Sequence, residues 1–80
     1  MSKTPEVGDI FYNKNDDEKI YIYKFLEDSN KEKYVRLIIK ETYGLFIETF
    51  LLKDINFKNM KYLGKSKVNI KDLFKTENEE

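Results

Sequence analysis

The sequence predicts a mainly β fold: a three-stranded antiparallel meander with a short strand on each side of it. Three observations predict this. Runs of β-branched and aromatic residues recur at residues 10–12, 19–27, 33–40 and 45–51. The best of them, KYVRLIIK, alternates Val35, Leu37 and Ile39 against Tyr34, Arg36, Ile38 and Lys40. Clusters of Gly, Asn, Asp and Ser punctuate the runs at the spacing of tight turns.

The elements follow in chain order. Val7-Gly8-Asp9 is a turn ahead of the short run Ile10-Phe11-Tyr12. Residues 13–18, NKNDDE, form a polar loop. KIYIYKFLE, residues 19–27, is the next strand, and both of its sides look like core: Ile20, Ile22 and Leu26 on one, Tyr21, Tyr23 and Phe25 on the other. Asp28-Ser29-Asn30-Lys31 turns the chain into residues 33–40.

The parity of that first hairpin loop decides which side of 19–27 faces inward. An even loop such as Ser29-Asn30 places Ile20 and Ile22 with Ile39 and Leu37 in the core, and an odd loop buries the tyrosines instead. The Asn-containing two-residue turn favours the even loop. For the second hairpin, a three-residue loop Thr42-Tyr43-Gly44 is expected, with Gly44 in the left-handed position of a G1 bulge. Paired residue numbers then sum to 86, Leu37 lies beside Thr49, and Glu48 is kept away from Leu37. In this register one face gathers Tyr21, Tyr23, Phe25, Tyr34, Arg36, Ile38, Phe46 and Phe50.

After residue 51, Leu52 and Ile55 suit a short helical turn near 52–57, and Met60 to Leu63 suits a closing strand ended by Gly64. Ile70, Leu73 and Phe74 have i, i+3, i+4 spacing, which suits a C-terminal helical turn near 69–75. Short strand, meander, helical turn and closing strand together are the plan of a small SH3-like barrel or β-roll, a likeness of topology that carries no function. We expect a single domain over residues 1–76 and a disordered acidic tail over 77–80.

Composition narrows the function. The chain has 80 residues, 40% of them hydrophobic and 38% charged, with 15 basic and 15 acidic side chains in balance. Zero net charge argues against an overall electrostatic grip on nucleic acid. No Cys and no His occur, so thiol nucleophiles, imidazole bases and the usual zinc ligands are excluded. The carboxylates Asp16, Asp17 and Glu18 lie in a polar loop, where burial is not expected to tune their pKa. Asn13, Asn15 and Asp17 alternate like calcium ligands, but the Gly and Glu that a calcium loop needs at its sixth and twelfth positions are Glu18 and Lys24. No enzyme, metal site or cofactor is expected. No apolar stretch has the length of a membrane span and the N-terminus has no apolar leader, which predicts a cytoplasmic protein. The richness in Lys, Asn, Ile, Phe and Tyr, with Arg36 as the one Arg, fits an AT-rich genome such as that of a phage or plasmid.

What remains is surplus apolar strand surface, which needs a cover. The candidates are the sheet curling onto itself as a small barrel, the C-terminal segment, a second copy forming a homodimer, or a protein partner. The expected function is a non-catalytic protein-interaction module, a regulator or inhibitor, with Tyr21, Tyr23, Arg36, Ile38, Phe46 and Phe50 as interface anchors. The alternative from another class is single-stranded nucleic-acid binding, in which Tyr23, Tyr34 and Phe50 stack on bases while Lys58, Lys61, Lys65 and Lys67 meet phosphates.

Overall fold

Five antiparallel strands form one sheet in the order β4-β3-β2-β1-β5. The structure, a computed structural model, describes residues 4–67. The strands are β1 (Asp9–Asn13), β2 (Glu18–Glu27), β3 (Lys33–Glu41), β4 (Gly44–Leu51) and β5 (Lys61–Lys65). Two short 3-10 turns, Leu52–Asp54 and Phe57–Asn59, link β4 to β5 where a helical turn was expected. The predicted helical turn near 69–75 and the acidic tail 77–80 lie outside the described residues. Strands β2, β3 and β4 are the expected meander, and β5 returns to pair with β1, the strand order of a small barrel or roll. Among the described strands β4 and β5 remain the two edges, so the sheet is not closed by hydrogen bonds.

The inner face carries the larger core: Phe11, Ile20, Ile22, Val35, Leu37 and Ile39, all buried. The connection from β4 to β5 folds beneath it, seating Leu52, Ile55, Phe57 and Met60 on these side chains. The Phe57 ring lies 5.0 Å from Phe11, which also meets Tyr62 at 5.4 Å. The outer face has a smaller core, Tyr21 and Ile38, flanked by Ile10, Tyr23 and Leu45. Both sides of residues 20–22 are therefore buried, which is why this stretch shows no polar alternation.

Register departs from expectation in both hairpins. In the first, Lys31 takes a left-handed conformation (φ 66°) and the Asp28 amide donates to the Glu32 carbonyl, making an odd loop, Ser29-Asn30-Lys31. The Asp28 carboxylate fixes it, accepting from the Asn30 and Glu32 amides at 2.9 Å each. Yet Ile20 and Ile22 still oppose Ile39 and Leu37, as the even loop would have it. A bulge reconciles the two. Pair numbers sum to 60 from Glu27↔Lys33 to Lys24↔Arg36, then to 59 from Ile22↔Leu37 onward, with Tyr23 as the extra residue. One consequence is that Phe25 shares the inner face with Val35 instead of joining Tyr21.

The second hairpin has a two-residue loop, Thr42-Tyr43. Glu41 pairs with Gly44, and every pair sums to 85 rather than 86. Gly44 does not have positive φ, so it is not the bulge glycine. A Cβ there would meet only the exposed Phe46 ring, at 3.1 Å. The register sets Glu48 opposite Leu37, the pairing that sequence reasoning rejected. It is tolerated because β4 is an edge strand and Glu48 remains exposed. Gly64 also differs from expectation. It lies inside β5 at φ 123°, next to a bulge that falls between the pairs Ile10↔Gly64 and Phe11↔Tyr62.

Candidate protein-docking edge

The register decides where the six expected anchors stand. Tyr21, Tyr23, Arg36 and Ile38 share the outer face, whereas Phe46 and Phe50 project from the inner one. Tyr21 and Ile38 are closed to solvent, and burial raises the Tyr21 hydroxyl pKa. Tyr23 and Arg36 are half-buried, the Arg36 Nε donating to the Thr49 hydroxyl at 3.1 Å across the strand pair. Phe50 packs on the inner core. Phe46 alone among the six is openly exposed, at 46%.

Phe46 has a neighbour that the sequence reading did not single out. Ile47, pointing to the opposite face of β4, is 48% exposed. The two put a large apolar side chain on each face of an eight-residue strand at the edge of the sheet. Such a strand presents outward-facing backbone N–H and C=O groups as a template for another strand. The other edge is a poor template: β5 has five residues, Lys at each end, a left-handed Gly and a bulge. The signal that would have found Ile47 is the two-residue loop, since a three-residue loop turns Ile47 inward beside Ile39.

The residues of the nucleic-acid alternative do not form one platform. Tyr34 stands on the outer face opposite Leu51, and Phe50 on the inner face opposite Val35. The Tyr34 hydroxyl donates to Asp28 at 3.3 Å, and burial with the nearby Asp28 raises its pKa. Lys58 and Lys61 do come together, beside Lys14 and Tyr12, and Lys67 is exposed at the end of the described chain. Lys65 is engaged elsewhere. Its ammonium lies 2.9 Å from Glu6 and 3.0 Å from Asp9, and hydrogen bonds to these two carboxylates raise its pKa.

Asp9 is the one fully buried charged side chain among the described residues. Its carboxylate accepts from the Glu6 amide (2.8 Å) and the Tyr62 hydroxyl (3.3 Å) as well as pairing with Lys65. The Asp9 amide in turn donates to the Glu6 carbonyl. This set pins the N-terminal turn to β5 across the sheet.

At the far end, Glu18 proves to be a strand residue rather than part of the polar loop, and its pKa is raised to about 7. Desolvation is the largest cause, followed by a hydrogen bond with Glu41 and repulsion from Asp16, Glu41 and Glu48. Each of Glu18 and Glu41 lies one residue beyond the Lys19–Lys40 pair, so the proximity follows from a register the sequence left open. The pair opens to solvent beside Tyr43, which is 97% exposed, and nothing there walls in a substrate. In the loop itself, Asn13 and Asp17 oxygens are taken by Asn15 N–H (3.2 Å) and the Tyr12 hydroxyl (2.7 Å). Among the described residues no group of three or more acidic side chains is placed to hold a metal ion, and no helix is long and apolar enough to cross a membrane.

Compared with protein-family models, curated proteins and solved structures, the chain matches none of them.

Proposed function

We propose that the chain is a non-catalytic protein-binding module that receives an extended segment of a partner protein along the open edge of β4. One observation carries the reading: among the described residues β4 is an unpaired edge strand, with Phe46 and Ile47 exposed on its two faces. Main-chain hydrogen bonds to the edge supply affinity in strand addition, and alternate side chains of the added strand find pockets on either face. Here Phe46 and Phe50 would grip one side of the incoming strand, while Leu45 and Ile47 grip the other. The anchors proposed from sequence are thereby reduced to those on or beside β4, and Tyr21 and Ile38 serve the sheet itself. The cytoplasm of a low-GC bacterium, and a role as regulator or inhibitor carried by a phage or other mobile element, fit the composition.

The test is selection from a random peptide library, followed by amide exchange on the complex. Apolar extended peptides should be recovered, should slow exchange along β4, and should lose binding to Ile47→Lys. Peptides that protect β5 instead refute the edge. Selective binding of single-stranded oligonucleotides, weakening steeply with salt, replaces the proposal by the nucleic-acid reading.

A further inference from the structure

Every second residue of β4 points to the inner face, so its inward row reads Gly44, Phe46, Glu48, Phe50. Phe46 is 46% exposed, and Glu48 beside it is exposed too. The Phe46 ring leans back over Gly44, its tip 3.1 Å from where a Cβ on that glycine would stand. Gly44 pairs with Glu41 on β3, and Glu41 shares a hydrogen bond with Glu18 on β2. The open ring therefore has carboxylates on both sides: Glu48 further along the strand, and Glu41 with Glu18 toward the hairpin loop. The charges that bear on Glu18 from the loop before β2, from β3 and from β4 are Asp16, Glu41 and Glu48, all of them acids. Lys19 and Lys40, next in sequence, pair with each other on the outer face.

A strand added to the β4 edge sets one inward side chain directly across from Phe46, at about 5 Å, with Gly44 and Glu48 diagonal to it at about 7–8 Å and within reach of a long side chain. Lys or Arg at that place lays its stem on the ring and its cationic end among the carboxylates, joining a cation–π contact to an ion pair. A second copy paired β4 to β4 does not supply this, because GLFIETFL has no Lys or Arg and brings another Glu48 to the same face. Building on the edge-docking reading above, we propose that the occupant of this edge is an extended segment of another protein with a Lys or Arg across from Phe46. The residues before and after that cation point to the outer face, where Leu45 and Ile47 call for apolar side chains. The recognised pattern is thus apolar, basic, apolar in consecutive positions of a strand.

The probe is a set of synthetic peptides in which Val and Thr alternate about one central inward residue, Lys, Gln or Glu, between solubilising Gly-Ser ends. Each is titrated against the full chain by fluorescence anisotropy, and amide exchange locates it. The Lys peptide should bind about tenfold more tightly than the Gln peptide, from the cation–π contact and the cross-strand ion pair together, and should slow exchange along β4. Glu48→Lys, at an exposed position, should abolish that preference, and Phe46→Leu should reduce it by about threefold. Peptides that protect β4 with no preference for Lys, or with a preference that survives Glu48→Lys, overturn this inference and leave the docking edge standing. Peptides that leave the β4 amides unprotected overturn both. Protection of β4 in the free chain that grows with its own concentration assigns the edge to a second copy and also overturns the inference.

Discussion

Replacing Asp9 by Ala should be the most damaging single polar substitution among the described residues. The carboxylate has no exposed surface and accepts from the Glu6 amide, the Tyr62 hydroxyl and the Lys65 ammonium. Deleting it does not strand the lysine, because Lys65 keeps Glu6 at 2.9 Å and the Val7 carbonyl at 3.3 Å. Nor does it strand Tyr62, which is 40% exposed and can turn to water. The Glu6 amide is different. It is partly buried and loses its short acceptor, at a cost of about 1–2 kcal/mol. Loss of the charge-assisted bond that holds β5 to the N-terminal turn adds about 1 kcal/mol. The expected total is about 2–3 kcal/mol, against about 4–12 kcal/mol for a whole domain of this length. Urea unfolding followed by far-ultraviolet circular dichroism and tyrosine emission measures it, since the chain has no Trp. With a slope of about 1 kcal/mol per molar, the midpoint should fall by about 2 M. Asp9→Asn keeps an acceptor for the amide and should fall by about half as much. A midpoint shift below about 0.5 M in Asp9→Ala would show that the buried carboxylate is not what fastens the turn.

Other outcomes follow from the same geometry. Glu18 holds its proton up to about pH 7 in the folded chain, against an ordinary 4.5. Between those values the folded state binds more protons than the unfolded one, so its contribution is greatest at low pH and is lost as pH rises toward 7. Glu18→Gln should stabilise at pH 8 and be neutral near pH 4; the carboxyl is largely solvent-facing, so screening limits the gain to about 1 kcal/mol in paired urea titrations. Gly64→Ala and Gly44→Ala should differ in the sense opposite to local crowding. A Cβ on Gly64 meets open space, yet φ of 123° should cost about 1–2 kcal/mol, whereas at Gly44 the exposed Phe46 ring can step aside and thermal melts should barely change. Phe57→Ala removes the ring tilted against Phe11 at 5.0 Å and should cost about 2–3 kcal/mol by chemical unfolding, less than a fully buried Phe because the ring is only partly buried.

The strands, their order and the helical connection were legible because they follow from local signals: residue type, alternation and turn chemistry. Faces were less so. KYVRLIIK announced its own inner and outer sides, and Val35, Leu37 and Ile39 lie inward as its alternation says. What β2 and β4 set against those sides depended on one-residue choices in two loops. Thr42-Tyr43 closes a hairpin without a glycine in the left-handed region, so the glycine that follows misled the register by one, and Phe46 and Phe50 changed faces. Only in a strand covered on both sides must Glu48 avoid Leu37. At an edge, a carboxylate opposite a core leucine still reaches water. The Asp9 site had no sequence signal beyond an acid after a turn glycine, because its partners Tyr62 and Lys65 come from the other end of the chain.

The extra residue at Tyr23 makes the first hairpin a strand pair in two phases. Its tip obeys the count set by the three-residue loop, and its base obeys the count that keeps Ile20 and Ile22 inward. Such a junction works like a vernier. The bulge takes up the one-residue difference between the two counts, so the three-residue loop does not turn the base of the sheet inside out. The mismatch is thus confined to the tip, and the core beneath it keeps Ile20 and Ile22 inward.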